Sequence, residues 1–312
     1  MKKFKKLIII LLVVLVSMTG CTKQLTKDGK KERVVNEATG QTLTSNILCL
    51  PKDEKLLSTY TEYKDKMAVN MDELVVCDNM PVWKTNYDGI WTQLFVQPLS
   101  WCIINLGKLV GNYGVAVMLL GLLIRVLLLP VTIKTSKQQQ IMKDLQPKLT
   151  QLEKKYAGKD DKESMMKKSQ EMMGLYQKYK INPLASCLTM LIQLPIFFAF
   201  LEAINRTPAI FENSLWKFQL GTTPLFGITH GNYWYILLLV LIIGFTIITF
   251  MQSMSGAKMG TDQKQSKMMM IMMMVFIGIA SFQLPSAIAL YWGVTNIFAV
   301  AQTFIIKKVG SK

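Results

Sequence analysis

Apolar positions cluster into five runs of near-equal length across the last two thirds of the chain, at 115–133, 182–203, 233–252, 268–284 and 287–306. A helix rises about 1.5 Å per residue and the bilayer hydrocarbon is about 30 Å thick, so runs of this length read as spanning helices. The breaks between them are legible. Gly111-Asn112-Tyr113-Gly114 turns the chain before the first run. Pro183 suits the first position of a helix, and Pro285-Ser286 predicts a tight turn between the fourth and fifth runs. Before the first span, from Ile90 to Lys108, the aromatics Trp91, Phe95 and Trp101 mix with Leu and Ile around Pro98. That pattern predicts a helix lying in the membrane interface.

The segment 134–181 is polar and predicts a helical hairpin. Ile141, Leu145, Leu149, Leu152 and Tyr156 keep roughly helical spacing, with a kink expected at Pro147. Gly158 breaks the helix, and Asp160 or Asp161 can cap the next one. Met165, Met166, Met172, Met173, Leu175 and Tyr176 give the second helix an apolar face. Those methionines either hold the hairpin together or offer an adaptable surface to a client. The fold class expected is all-α: a polytopic membrane protein of five transmembrane helices, an interfacial helix and a cytoplasmic hairpin.

The N-terminus is different. Lys2, Lys3, Lys5 and Lys6 precede the short apolar stretch 7–16, and Ser17-Met18-Thr19-Gly20-Cys21 follows. This is a signal peptide over 1–20, and Cys after Gly resembles a lipobox, with lipidation at Cys21. An uncleaved signal anchor is the alternative. Residues 21–88 form an exported segment that is polar, mixed in charge and without clear periodicity. It carries Cys49 and Cys77, which either form a disulfide or stay free.

Charge fixes the orientation. The net charge of +16 among 312 residues could suggest nucleic acid, but the lysines gather between apolar runs. Segment 134–181 has twelve lysines against six acids, loop 253–267 has Lys258, Lys264 and Lys267, and the tail 307–312 is basic. The loop 204–232 has only Arg206 and Lys217. The positive-inside rule places the hairpin, the 253–267 loop and the tail in the cytoplasm and the mature N-terminus outside a bacterial cell membrane. No specific nucleic acid is expected as a partner. One histidine, His230, and five cysteines without a CxxC pair argue against a zinc site or a histidine-based triad; no cofactor is expected.

Arg125 is the residue that carries function in this reading. It lies about 18 Å from Tyr113 at the outer end and about 12 Å from Ile133 at the inner end. An arginine at that depth costs at least about 2.5–3.5 kcal/mol, and no Asp or Glu lies well inside any run, Glu202 falling near the outer end of the second. The expectation is a hydrated cavity open towards the cytoplasm. Gln193, Gln252, Trp292, Thr295, Asn296 and Gln302 could line it. The run 268–274 reads as packing or lipid-facing surface rather than a metal site.

Several stretches resemble the YidC/Oxa/Alb family of membrane protein insertases in its Gram-positive lipoprotein form. They are Gly111-Asn112-Tyr113-Gly114, Leu123-Ile124-Arg125 with Leu129-Pro130, Leu145-Gln146-Pro147, Tyr179 with Asn182-Pro183-Leu184-Ala185, Gln193-Leu194-Pro195-Ile196, and Pro285 with Leu290-Tyr291-Trp292. The resemblance covers about residues 89–306. It implies a five-helix core around a groove open to cytoplasm and lipid but closed outside, with the family's arginine at Arg125 and its polar groove residues at Gln193, Trp292 and Asn296. It implies as partners nascent membrane proteins and membrane lipid, with the Sec translocon and the ribosome as further candidates. Two features depart from the family pattern: the exported segment is longer than usual for the Gram-positive form, and the tail lacks the long basic extension of some members. The rival readings are a small-solute transporter or channel, an intramembrane enzyme, for which no Ser/His, paired Asp or HExxH pattern is present, and a lipoprotein anchor.

Overall fold

The computed structural model describes residues 22–27, 32–83, 89–159, 161–180, 185–254, 272, 274–275 and 277–310. The expected signal peptide, Cys21, and the starts of the second and fourth apolar runs lie outside them. The described chain is mostly helical and falls into two compact units: Met1–Ile124 with Gln193–Ile242 and Ala280–Thr295, and Arg125–Ile192 with Ile243–Ile279 and Asn296–Lys312.

In the first unit the N-terminal segment, which the sequence reading expects to be exported, is folded. The backbone pairs at Gln24–Thr44, Thr26–Arg33 and Val35–Thr42, all antiparallel, and at Leu50–Val76. Successive side chains in extended backbone point to opposite faces. Leu25, Val34 and Leu43 each stand between bridged neighbours and turn inward, all three buried. They meet Ile47, Met71, Leu74, and Leu56 and Tyr60 from helix α1 (Glu54–Glu62). Asp53 caps α1 by accepting the Leu56 N–H at 2.8 Å. The alternation is real but confined to three or four residues at a time, which is why no periodicity stood out in the sequence. Cys49 and Cys77 form a disulfide, with Cα atoms 4.7 Å apart.

The expected interfacial helix starts with a short turn at Gly89–Trp91 and a π-type turn over Thr92–Val96, then continues as α2 (Gln97–Val110). Pro98 falls where the π-type turn gives way to α2, and the helical course runs through it rather than breaking there. Val96, Ser100, Ile103, Ile104 and Gly107 form the buried stripe. Ile90, Leu94, Phe95 and Leu109 stay exposed. Gly111, at φ +75°, ends α2 in the left-handed conformation, and Asn112 then caps α3 (Tyr113–Leu127) by accepting the N–H groups of Gly114 and Val115.

The first span, expected as one run over 115–133, is not continuous. The helix stops at Leu127 and α4 (Leu129–Lys155) begins with Pro130 in its first turn. Proline cannot donate to the preceding turn, so the ladder is interrupted there. Further on, α4 passes through Pro147 without ending. Gly158, at φ +76°, makes the turn to α5 (Lys162–Lys178), and Asp161 rather than Asp160 is the observed cap, accepting the Ser164 N–H at 2.8 Å.

The remaining elements are α6 (Ala185–Arg206), α7 (Pro208–Phe211), a two-stranded hairpin of β1 (Ser214–Leu215) and β2 (Phe218–Gln219), α8 (Pro224–Thr229), α9 (Trp234–Met254), a helical stretch over 277–283, and α10 (Ser286–Gly310). The break falls at Pro285, where the sequence predicted a turn, and Ser286 already starts α10, its N–H and hydroxyl both donating to the Thr222 carbonyl. Among the described residues, Ser286–Ile306 is long and apolar enough to cross a membrane alone; α3 with the first half of α4 passes as a broken pair, and Trp234–Thr249 is a shorter apolar helix. Large apolar side chains stay on the outside of these helices: Leu119, Leu123, Val126 and Leu127 on α3, and Ile236, Leu237, Val240 and Leu241 on α9. Apolar surface of this extent belongs against lipid or a partner, not water.

Candidate functional site

The sequence-derived site residues divide between the two units. In the first, Gln193 on α6 donates through Nε2 to the Tyr291 hydroxyl at 3.0 Å. Tyr291 is buried and stacks on Phe200, ring centroids 4.3 Å apart. A Cβ at Gly121 would stand 2.8 Å from the Tyr291 ring, so the absence of a side chain on α3 is what lets that ring sit where Gln193 can reach it. Trp292, half-buried, leans on Phe197 at 5.5 Å. Gln193 and Trp292 therefore share one aromatic neighbourhood built from α6 and α10.

In the second unit, Arg125 is half-buried on α3 while the next two residues, Val126 and Leu127, are exposed. Asn296 is buried and donates to the Thr246 hydroxyl on α9 at 2.9 Å. Gln302 donates to Thr132 on α4 at 2.7 Å. Both are interhelical amide–hydroxyl bonds of the kind that hold membrane helices together. Thr295, in the first unit, bonds back to its own helix at Tyr291 and Trp292. The side chain of Gln252 lies outside the described residues.

The hairpin methionines divide by position. Met142, Leu145, Leu149 and Tyr176 form its core, with Met172, Leu175 and Tyr179 against it. Met165, Met166 and Met173 are exposed and contribute nothing to that core. Lys155 bridges to Glu171 at 2.6 Å, Tyr156 donates to the same carboxylate at 2.9 Å, and Lys148 meets the Tyr179 hydroxyl. The Glu171 carboxyl is held below its usual range chiefly by the bond from Lys155, and Asp161 chiefly by the Ser164 N–H.

A buried polar cluster went unnoticed in the sequence. Arg206, at the end of α6, is fully buried. Its guanidinium pairs with Glu202 at 3.2 Å, and donates to the Asn46 carbonyl at 2.8 Å and the Thr92 hydroxyl at 3.0 Å. Trp91 donates to the other Glu202 oxygen at 3.1 Å. Glu212 accepts the backbone N–H groups of Lys52 and Asp53 at 3.1 Å each, and Phe211 enters the core of the N-terminal segment. The i,i+4 spacing of Glu202 and Arg206 was the available signal; nothing in it pointed to Asn46, 160 residues away in sequence.

Comparison with known proteins places these features in a family. A family model described as the 60Kd inner membrane protein matches residues 105–312. The membrane protein insertase YidC of Oceanobacillus iheyensis is 40% identical over 231 residues, 72% of this chain and 86% of that protein. The membrane protein insertase MisCA of Bacillus subtilis is 40% identical over 219 residues, 70% of this chain and 79% of that one. A solved structure of an active YidC insertase, with its first transmembrane domain resolved, aligns at a TM-score of 0.49 and 23% identity over 81% of this chain and 53% of that chain, so this chain spans about half its length. On the family match and these identities, the chain belongs to the 60Kd inner membrane protein family, that of the YidC membrane protein insertases.

Proposed function

We propose that this chain, a membrane protein insertase by family, takes short hydrophobic segments from the cytoplasm and releases them sideways into lipid through a hydrated groove containing Arg125, with Gln193, Trp292 and Asn296 as its polar lining. Grouping those four rests on the sequence pattern. The observation that carries the reading is the position of Arg125: a guanidinium within the apolar helix α3, half-buried where Val126 and Leu127 beside it are exposed. A polar groove lowers the cost of bringing the polar flank of a client to the hydrocarbon, and a cationic group in a low dielectric attracts acidic residues in that flank. The client's apolar segment then partitions into the bilayer by its own hydrophobicity. No bond is made or broken, so the function is that of an insertase and chaperone, not an enzyme. A solute transporter is disfavoured by five spans without an obvious internal repeat.

The same proposal includes five spans, a signal peptide removed at Cys21, lipidation of that cysteine, the segment 21–88 outside, and the hairpin and the tail 307–312 in the cytoplasm. Nascent membrane proteins and lipid are its partners, and the Sec translocon and the ribosome are candidates to deliver clients. Palmitate labelling and a mature N-terminus at Cys21 test the anchor, and cysteine accessibility tests the orientation; labelling of the hairpin from outside intact cells rejects it.

For the groove, insertion is measured in reconstituted vesicles with matched abundance of parent, Arg125→Ala and Arg125→Lys. Arg125→Ala is expected to reduce insertion of clients with acidic N-terminal flanks and to affect acid-neutralised clients less. Arg125→Lys keeps the charge but loses the planar fork of donors, and is expected to retain much of the activity. Equal insertion of acidic-flank clients by Arg125→Ala and parent makes the arginine structural.

A further inference from the structure

Trp216 is the first of the two residues that join β1 to β2, across the pair Leu215–Phe218. Its φ is +53°. Two-residue hairpin loops call for positive φ at this position, and Gly, Asn or Asp normally fill it. A bulky side chain there carries a strain cost. Burial does not recover that cost, because Trp216 is 64% exposed. Lys217, next in the loop, is exposed too.

The tip is braced rather than loose. Asn232 donates to the Lys217 carbonyl at 2.8 Å, and the Tyr235 hydroxyl accepts the Gln219 N–H at 2.9 Å. Phe218 packs edge-on against Tyr235 at 5.3 Å. The Trp216 ring meets Trp234 edge-on at 4.6 Å, and Trp234 and Tyr233 are themselves 45% and 68% exposed. From Trp234, α9 runs on directly into the exposed face of Ile236, Leu237, Val240 and Leu241. Three exposed aromatic rings and a lysine thus stand at the polar end of a surface that fits hydrocarbon. Indole and phenol rings, apolar in body and polar at one edge, partition to the headgroup level of a bilayer. A lysine beside them is attracted to anionic headgroups.

We propose that the Trp216–Lys217 tip, with Tyr233 and Trp234, is a membrane-interface anchor whose occupant is the headgroup–acyl boundary of phospholipid. It would hold the 206–232 loop, and the exported segment packed on that loop, at the lipid surface. The proposal rests on the reading of α9 as lipid-facing but not on the groove or on Arg125.

The test uses the full chain in vesicles of phosphatidylcholine and phosphatidylglycerol, with Trp216→p-benzoylphenylalanine. Irradiation is expected to give phospholipid adducts on the peptide bearing position 216 and none at Glu62→p-benzoylphenylalanine on exposed α1. Adducts to a second copy of the chain instead of lipid, or no lipid adduct at 216, overturn the proposal. A second variant separates anchoring from folding. Trp216→Gly suits the positive φ, so its unfolding temperature in detergent is expected to equal or exceed that of the parent, while quenching of tryptophan emission by doxyl-labelled lipid falls. A lower unfolding temperature in detergent with unchanged quenching makes the ring a packing residue and sinks the anchor. Insertion activity that depends on Arg125 but not on Trp216 leaves the anchor standing, since the two readings are measured separately.

Discussion

Arg206 and Glu202, one turn apart on α6, form an ion pair of 3.2 Å in which the arginine side chain is fully buried. The pair ties three parts of the sequence together, because Arg206 also holds Asn46 of the N-terminal segment and Thr92 in the turn before α2, while Glu202 accepts from Trp91. Removing one partner of such a pair leaves an uncompensated buried charge, which costs about 3–5 kcal/mol. Arg206→Ala is therefore expected to be strongly destabilising in detergent unfolding and to render residues 22–83 sensitive to protease. Arg206→Met combined with Glu202→Gln should recover part of the loss. A double variant no better than Arg206→Ala shows that the hydrogen bonds to Asn46 and Thr92 matter more than the charge balance.

The disulfide closes a loop with a sequence separation of 28. Chain-entropy arguments assign such a closure about 3.5 kcal/mol. Cys49 and Cys77 pack with Leu48, Met80 and Trp91, so the effect is expected to be local. Cys49→Ala with Cys77→Ala should speed proteolysis of the N-terminal segment severalfold and leave protection of α9 and α10 unchanged, read by mass spectrometry of time-course digests. Equal loss of protection in α9 and α10 shows that the N-terminal segment supports the whole fold.

The hairpin carries a pH dependence of known sign. Asp161 and Glu171 both have folded-state affinities for protons below their unfolded values, through the Ser164 N–H and through Lys155 respectively. A depressed carboxylate contributes stability that is present above its unfolded value, about pH 4, and is lost as pH falls through the folded one. Amide protection of Lys162–Lys178 is expected to hold from pH 7 to about pH 5 and to decline below about pH 4. Asp161→Asn keeps a capping oxygen without a titrating group. Together with Glu171→Gln it should flatten the decline, and a profile as steep as that of the parent would assign the effect to other carboxylates.

Much of the fold was legible because it depends on local chemistry. Gly111 and Asn112 stop one helix and cap the next through groups within four residues. Gly158 and Asp161 do the same in the hairpin. The hairpin core of Leu145, Leu149 and Tyr176 follows from helical spacing alone. Arg125 stood out because a charge in an apolar run is costly wherever the run ends up. These features need no knowledge of distant neighbours.

Tertiary structure decided the rest, for the converse reason. The N-terminal segment looked featureless since its inward positions alternate over stretches too short to show, and because Phe211, Glu212 and Arg206 complete its core and its polar contacts from far along the chain. The pairing of Cys49 with Cys77, left open by the sequence, required both to arrive within a Cα separation of 4.7 Å. Asn296, an equal candidate with Gln193 by composition, finds Thr246, whereas Gln193 finds Tyr291; an amide has the same donors in either place, and only packing selects the acceptor. Helical backbone runs through Pro98 but is interrupted before Pro130, and the break at Leu128 shows that an apolar run fixes where a chain can be buried but not where its hydrogen-bond ladder is interrupted.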